Sequence, residues 1–137
     1  MKNIVLCYIV LFVNIVYSQH SFSVKNINEI DLETKEVGSS IEVNQFFNFS
    51  LTDGFMIHNL IDEDGNIEDS QFYKIIKKEK KNNVLIFITC ESGVSGNTYN
   101  YLINEDEEMG TSLFQLIDEN TMYQMEGKAS KCKTFKQ

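Results

Sequence analysis

A chain of 137 residues with 20 Asp and Glu against 12 basic residues carries a net charge of −8, the wrong sign for counterion-releasing contact with nucleic acid or for an anionic bilayer. All of its basic residues are lysine, so the planar guanidinium fork that grips phosphate or carboxylate at two points is missing. At 42% hydrophobic and 12% aromatic it is also too apolar to stay disordered.

Met1-Lys2-Asn3, the apolar run Ile4 to Val13 and the sequence Val16-Tyr17-Ser18 read as a secretory signal peptide, residues 1–18, cut between Ser18 and Gln19. The run is shorter than the roughly 20 apolar residues a spanning helix needs. The protein is therefore expected to be secreted or periplasmic, with no membrane contact after cleavage. Residues 19–137 are one domain's worth of chain, with no internal repeat, linker or composition shift to divide them.

Strand patterns then follow one another. Phe22 to Leu32 and Val37 to Val43, joined through Glu33-Thr34-Lys35, fit a first hairpin, although Asn28 before Glu29 and Asp31, with Gly38 beyond, also suits a short helix. Gln45 to Leu51 places Phe47, Phe49 and Leu51 on one face and runs into an Asp53-Gly54 turn. Phe55 to Ile61, Phe72 to Lys77, Val84 to Thr89, Thr98 to Asn104, Leu113 to Ile117 and Met122 to Met125 continue the series. The unbroken apolar run Val84 to Thr89 predicts a strand buried on both faces. Connections of hairpin length predict antiparallel neighbours. The fold expected is all-β, a single antiparallel meander of about eight strands in a small closed or nearly closed β-barrel of calycin-like (lipocalin-like) proportions.

Two cysteines survive cleavage. Export favours a disulfide between Cys90 and Cys132, closing a loop of roughly 40 residues worth on the order of 3–4 kcal/mol. The acidic loop Asp62 to Asp69, aligned on Gly65, has Leu60 and Gln71 where an EF-hand needs carboxylates, so it reads as a solvated hairpin loop. Lys78 to Lys81 are expected beside Glu105 to Glu108, since alternate turns of a meander share an end. His58 reads as a packing residue on its strand, and Asn48-Phe49-Ser50 is formally a glycosylation acceptor inside another. No nucleophile, base and orienter assemble, so neither enzyme activity nor a cofactor nor a metal site is expected.

The segment left over is Ser92 to Asn97. Gly93 and Gly96 supply positive φ for a turn, and Ser92, Gly93, Ser95, Gly96 and Tyr99 form a candidate partner-binding loop. Ser95-Gly96-Asn97-Thr98-Tyr99 resembles the Ser-Gly-x-x-Tyr motif of bacterial C-type lysozyme inhibitors, small β-barrels that insert a loop serine into the enzyme's cleft. The resemblance covers Ser95, Gly96 and Tyr99; the acidic turn Glu105 to Gly110 stands where that family has a Lys-Gly element. The function expected is binding of a small apolar ligand or a protein partner, with hydrolase inhibition as the alternative.

Overall fold

Two-residue alternation organises the chain from Gln19 onwards. In a computed structural model, which describes residues 19–106, 108 and 110–132, with side chains up to Ser130, it yields eight strands and no helix. They are β1 (Gln19–Asp31), β2 (Val37–Ser50), β3 (Phe55–Ile61), β4 (Ile67–Lys80), β5 (Leu85–Ser92), β6 (Thr98–Asp106), β7 (Gly110–Leu116) and β8 (Thr121–Cys132). Each pairs antiparallel with the next, and β1 also pairs with β8, so the meander closes into a barrel. Over the body of the barrel, closure removes the sheet edges that an open meander this apolar would expose. The expected signal peptide lies outside the described residues.

The hairpin alternative for 22–43 is the one that forms. Val37 to Val43 and Gln45 to Leu51, separate in the sequence reading, join into the single strand β2, opposite β1 from Gln19 to Ile30. Asp31 Oδ1 accepts from the backbone amides of Glu33 and Thr34 and holds the turn that joins them, where an amide-satisfied aspartate does the work a helix cap would have done.

The run Val84 to Thr89 departs from expectation. Ile86, Ile88 and Cys90 point into the barrel and are buried, whereas Leu85, Phe87 and Thr89 lie half-buried on the outer face. A barrel of this size has one interior, so an unbroken apolar strand has to leave alternate residues outside. Phe87 is partly covered there by Lys81, whose Nζ lies 5.6 Å from the ring centre.

The centre of the barrel is filled by side chains. Phe22, Phe47, Phe49, Met56, Ile88, Tyr101, Ile103, Leu113 and Met125 interlock, with Phe22 edge-on to Phe49 at 6.0 Å and Phe49 edge-on to Tyr101 at 5.4 Å. Burial of each such side chain contributes about 1.5–3 kcal/mol. One glycine makes the closure possible. Where β8 passes a bulge in β1 between Val24 and Asn26, a Cβ on Gly127 would lie 1.8 Å from the Ser23 carbonyl oxygen.

The turns sort the barrel into two ends. Turns 32–36, 62–66, 93–97 and 117–120 share one end, here called the mouth; turns 51–54 and 81–84 and the start of β1 share the other, the base. The turn after β4 does sit beside the turn after β6, because the amide of Glu105 donates to the Val84 carbonyl at 2.6 Å. Of the charges there, Lys81 pairs with Glu79 at 3.1 Å, and Glu105 takes the buried His20, Nε2 to Oε2 3.0 Å.

β2 is much longer than β3. Only Gln45 to Ser50 pair with β3, so β2 carries Val37 to Asn44 beyond it at the mouth. There it forms the outer strand of a three-stranded flap with β1 and β8, whose tips are tied by Leu32 N donating to the Asn120 carbonyl, 2.8 Å.

Candidate functional site

Towards the mouth the inward-facing positions change character. Register carries the interior face upward from the core: Phe47 opposes His58, His58 opposes Gln71, Cys90 opposes Tyr99, Tyr101 opposes Gln115, and Gln115 opposes Tyr123. Above the apolar layers the barrel is therefore lined by Gln45, His58, Gln71, Tyr73, Tyr99, Gln115 and Tyr123. Amides and phenols replace hydrocarbons over one turn of the wall.

These groups are held in place by one another. The His58 ring stacks on Phe47 with centres 4.1 Å apart and planes 11° from parallel, and its Nε2 lies 2.8 Å from Gln45 Oε1. An amide oxygen only accepts, so Nε2 carries the hydrogen. Tyr73 donates its hydroxyl to Gln71 Oε1 at 2.7 Å, and Gln71 Nε2 donates to Asp69 Oδ2 at 3.3 Å. The Tyr99 ring meets Tyr73 edge to face at 5.7 Å. Gln115 and Tyr123 complete the wall, both half-buried. The result is a cup of amide, imidazole and phenol groups between flat aromatic faces, with the Asp69 carboxylate at its edge.

Burial holds His58 below its ordinary value of 6.5, with the Asp69 carboxylate pulling the other way. The folded state therefore keeps this ring neutral at a pH where the unfolded chain takes up a proton. Stability from His58 is fully present above the unfolded value and is lost as pH falls from 6.5 through the lower folded value. Urea midpoints of the wild type and of His58→Gln, compared at pH 7.5 and 5.5, should show the wild type losing more on acidification; equal losses would contradict this.

Cys90 sits beneath the cup as a free, fully buried thiol. The bond expected to Cys132 is not part of the described structure: Cys90 is two residues from the mouth end of β5, whereas Cys132 stands opposite Gln19 at the base. Burial pushes the Cys90 thiol up to about 12, which keeps it protonated and unreactive. In a Cys132→Ser variant of residues 19–137, Ellman's reagent should label Cys90 only after unfolding; fast labelling of the native protein would contradict this burial.

The predicted loop borders the cup. Ser92 lies inside the wall, half-buried, and its Oγ accepts from the amides of Val94 and Ser95, both at 3.2 Å. Ser95 Oγ accepts from the amide of Asn97 at 3.2 Å. Gly96 has φ +76° as expected, but Gly93 does not adopt positive φ; it is needed because a Cβ there would press on the Phe72 carbonyl oxygen at 3.3 Å. The tip carries the most exposed large apolar side chain among the described residues, Val94, 94% accessible. Of the five loop residues, only Ser92 and Tyr99 face the cup. The alternation of Tyr99 with Tyr101 was visible in the sequence, but His58, Gln71, Gln115 and Tyr123 become a site only through register.

The acidic loop closes on itself, with Asp62 Oδ1 accepting from the amides of Asp64 and Asn66 at 3.0 and 2.8 Å. Among the described residues no group of three His, Cys, Asp or Glu is placed to hold a metal ion. On the outer wall Lys77, Phe87, Thr89, Asn100 and Leu116 border a shallow groove of about 360 Å³. Comparison with protein-family models, with curated proteins and with solved structures finds no match to this chain. The resemblance to lysozyme inhibitors thus rests on Ser95, Gly96 and Tyr99 alone.

Proposed function

We propose that this chain is an exported, non-enzymatic binding domain that holds a small ligand at the mouth of its barrel. The observation that carries the reading is the change of lining from Phe and Ile to Gln, His and Tyr above a filled base. The dense aromatic centre argues against a ligand enclosed deep in the barrel and favours one with flat apolar faces and hydrogen-bonding edges, held between Tyr73, Tyr99 and Tyr123. Native mass spectrometry of the protein isolated from cells that make it should find an added mass, lost in a folded Tyr99→Ala/Gln115→Ala variant. A protein that never carries one, or a variant that keeps it, would count against the reading.

Inhibition of a hydrolase is supported by a different observation, the exposed tip at 93–97 held in one shape by its own hydrogen bonds. An acidic protein suits a basic enzyme electrostatically. If this reading holds, a basic C-type lysozyme is inhibited by the wild type and much less by Ser95→Ala; no inhibition by the wild type ends it. Export itself has a direct test: amino-terminal sequencing of the secreted or periplasmic protein should begin at Gln19, and an intact Met1 would contradict cleavage.

A further inference from the structure

From the unpaired outer edge of β2 we infer a second interaction surface, one that takes an extended, lysine-bearing or arginine-bearing segment of a protein partner as an added strand. It does not depend on the mouth ligand.

The edge is a property of register. Val37 to Asn44 are hydrogen-bonded to β1 on one side, opposite Asn26 to Ile30, while β3 pairs with β2 only from Gln45 onward. A strand with one side unpaired presents a row of backbone donors and acceptors that another chain can complete. Residues 37–42 are all exposed, with Val37 59% and Ile41 58% accessible. Asn44 is where the open stretch ends, since its Nδ2 donates to the Asp62 carbonyl of the neighbouring turn at 3.4 Å.

Soluble barrels blunt such edges with lysine, proline or a very short strand. This stretch, Val37-Gly38-Ser39-Ser40-Ile41-Glu42-Val43, has neither lysine nor proline and is about seven residues long, roughly 23 Å of strand. Ile41 and Val43 alternate on the interior face, opposite Ile27 and beyond Gln45, and would meet alternate side chains of an added strand. The flap is rigid enough to template one: Ser39 and Ser40 donate to Glu29 Oε2 and Asn28 Oδ1 of β1, and Asn28 donates in turn to Gln124 and Glu126 of β8.

Charge selects the partner. Glu42 stands on the strand and Glu36 just before its start, Glu29 on its neighbour, and Asp62, Glu63 and Asp64 on the turn that abuts its open end; Lys35 at the tip and Lys25, donating to Asn44 Oδ1 at 2.6 Å, are the cations nearby. An acidic edge of this kind repels a second copy of itself and attracts a basic strand.

The probe is a labelled octapeptide alternating lysine with valine, titrated into the isotope-labelled mature protein. The expected result is saturable binding with amide shifts confined to Val37 to Asn44 and the facing turn, weakened at least tenfold by Ile41→Lys and by raised salt. Circular dichroism establishes that the variant is folded. N-methylation of alternate peptide amides on the pairing side should abolish binding. The proposal is overturned by no saturable binding at millimolar peptide, by equal binding of the glutamate-for-lysine peptide, by indifference to N-methylation, or by dimerisation of the free protein through this edge.

Discussion

Replacing Gly127 by alanine should destabilise the barrel more than any other added methyl group. The new Cβ would fall 1.8 Å from the Ser23 carbonyl oxygen, 2.8 Å from the Ser23 carbonyl carbon and 3.0 Å from the Val24 Cα. All three are backbone atoms, so no side chain can rotate away, and β8 must lift from β1 where the barrel closes. The cost should reach or exceed the upper end of the roughly 1–3 kcal/mol of ordinary overpacking. Urea unfolding of Gly127→Ala beside Ala129→Gly, which changes the same strand without a clash, separates close approach from strand propensity. An alanine variant within experimental error of the wild type would mean that β8 does not approach β1 this closely.

Phe49→Ala should be comparably severe for the opposite reason. Phe49 is fully buried and touches Phe22, Phe47 and Tyr101, ring to ring, so truncation leaves a hole in the middle of the packed layers. Loss of such a side chain costs about 3–5 kcal/mol. For a domain of this size the thermal midpoint should fall on the order of 10–20 °C. Tyr99→Ala, one layer higher and half-buried at the mouth, should cost much less. Similar losses for the two would mean that the interior is packed uniformly and that the mouth is simply more core.

This contrast marks how far the sequence could be read. Alternation at Phe47, Phe49 and Leu51, the Asp53-Gly54 turn and the short connections were enough for an eight-stranded antiparallel barrel, because each is a local signal repeated along the chain. Val84 to Thr89 misled for a physical reason: an apolar run looks the same whether its outer face is covered by another layer or by the stems of long neighbours such as Lys81. The last strand was read only from Met122 to Met125, since Glu126, Gly127 and Lys128 lack strand character; β8 continues because the whole length of β1 offers it partners. Gly127 was the available clue, an isolated glycine at a place of close backbone approach.

The cup was legible only in part. Tyr99 stood out beside the glycine loop, but Gln45, Gln71 and Gln115 are ordinary surface residues on a linear reading, and nothing local says that three strands bring them to one interior level. Cys90 and Cys132 show the same limit: compartment and loop length say nothing of register, which sets Cys90 near the mouth end of β5 and Cys132 opposite Gln19 at the base. His20, the second residue after the expected cut, is buried at the base against Glu105.

The most direct measurement of the mouth as a binding site is an amide-shift screen of isotope-labelled residues 19–137 against a library of small neutral fragments, flat aromatics and polyols among them. Fragment hits collect where a surface combines concavity, apolar faces and fixed polar groups. Hits should converge on His58, Gln71, Tyr99, Gln115 and Tyr123 and disappear in Tyr99→Ala/Gln115→Ala. Hits that gather instead on the outer groove at Phe87, Thr89 and Leu116, or that find no preferred place, would contradict it.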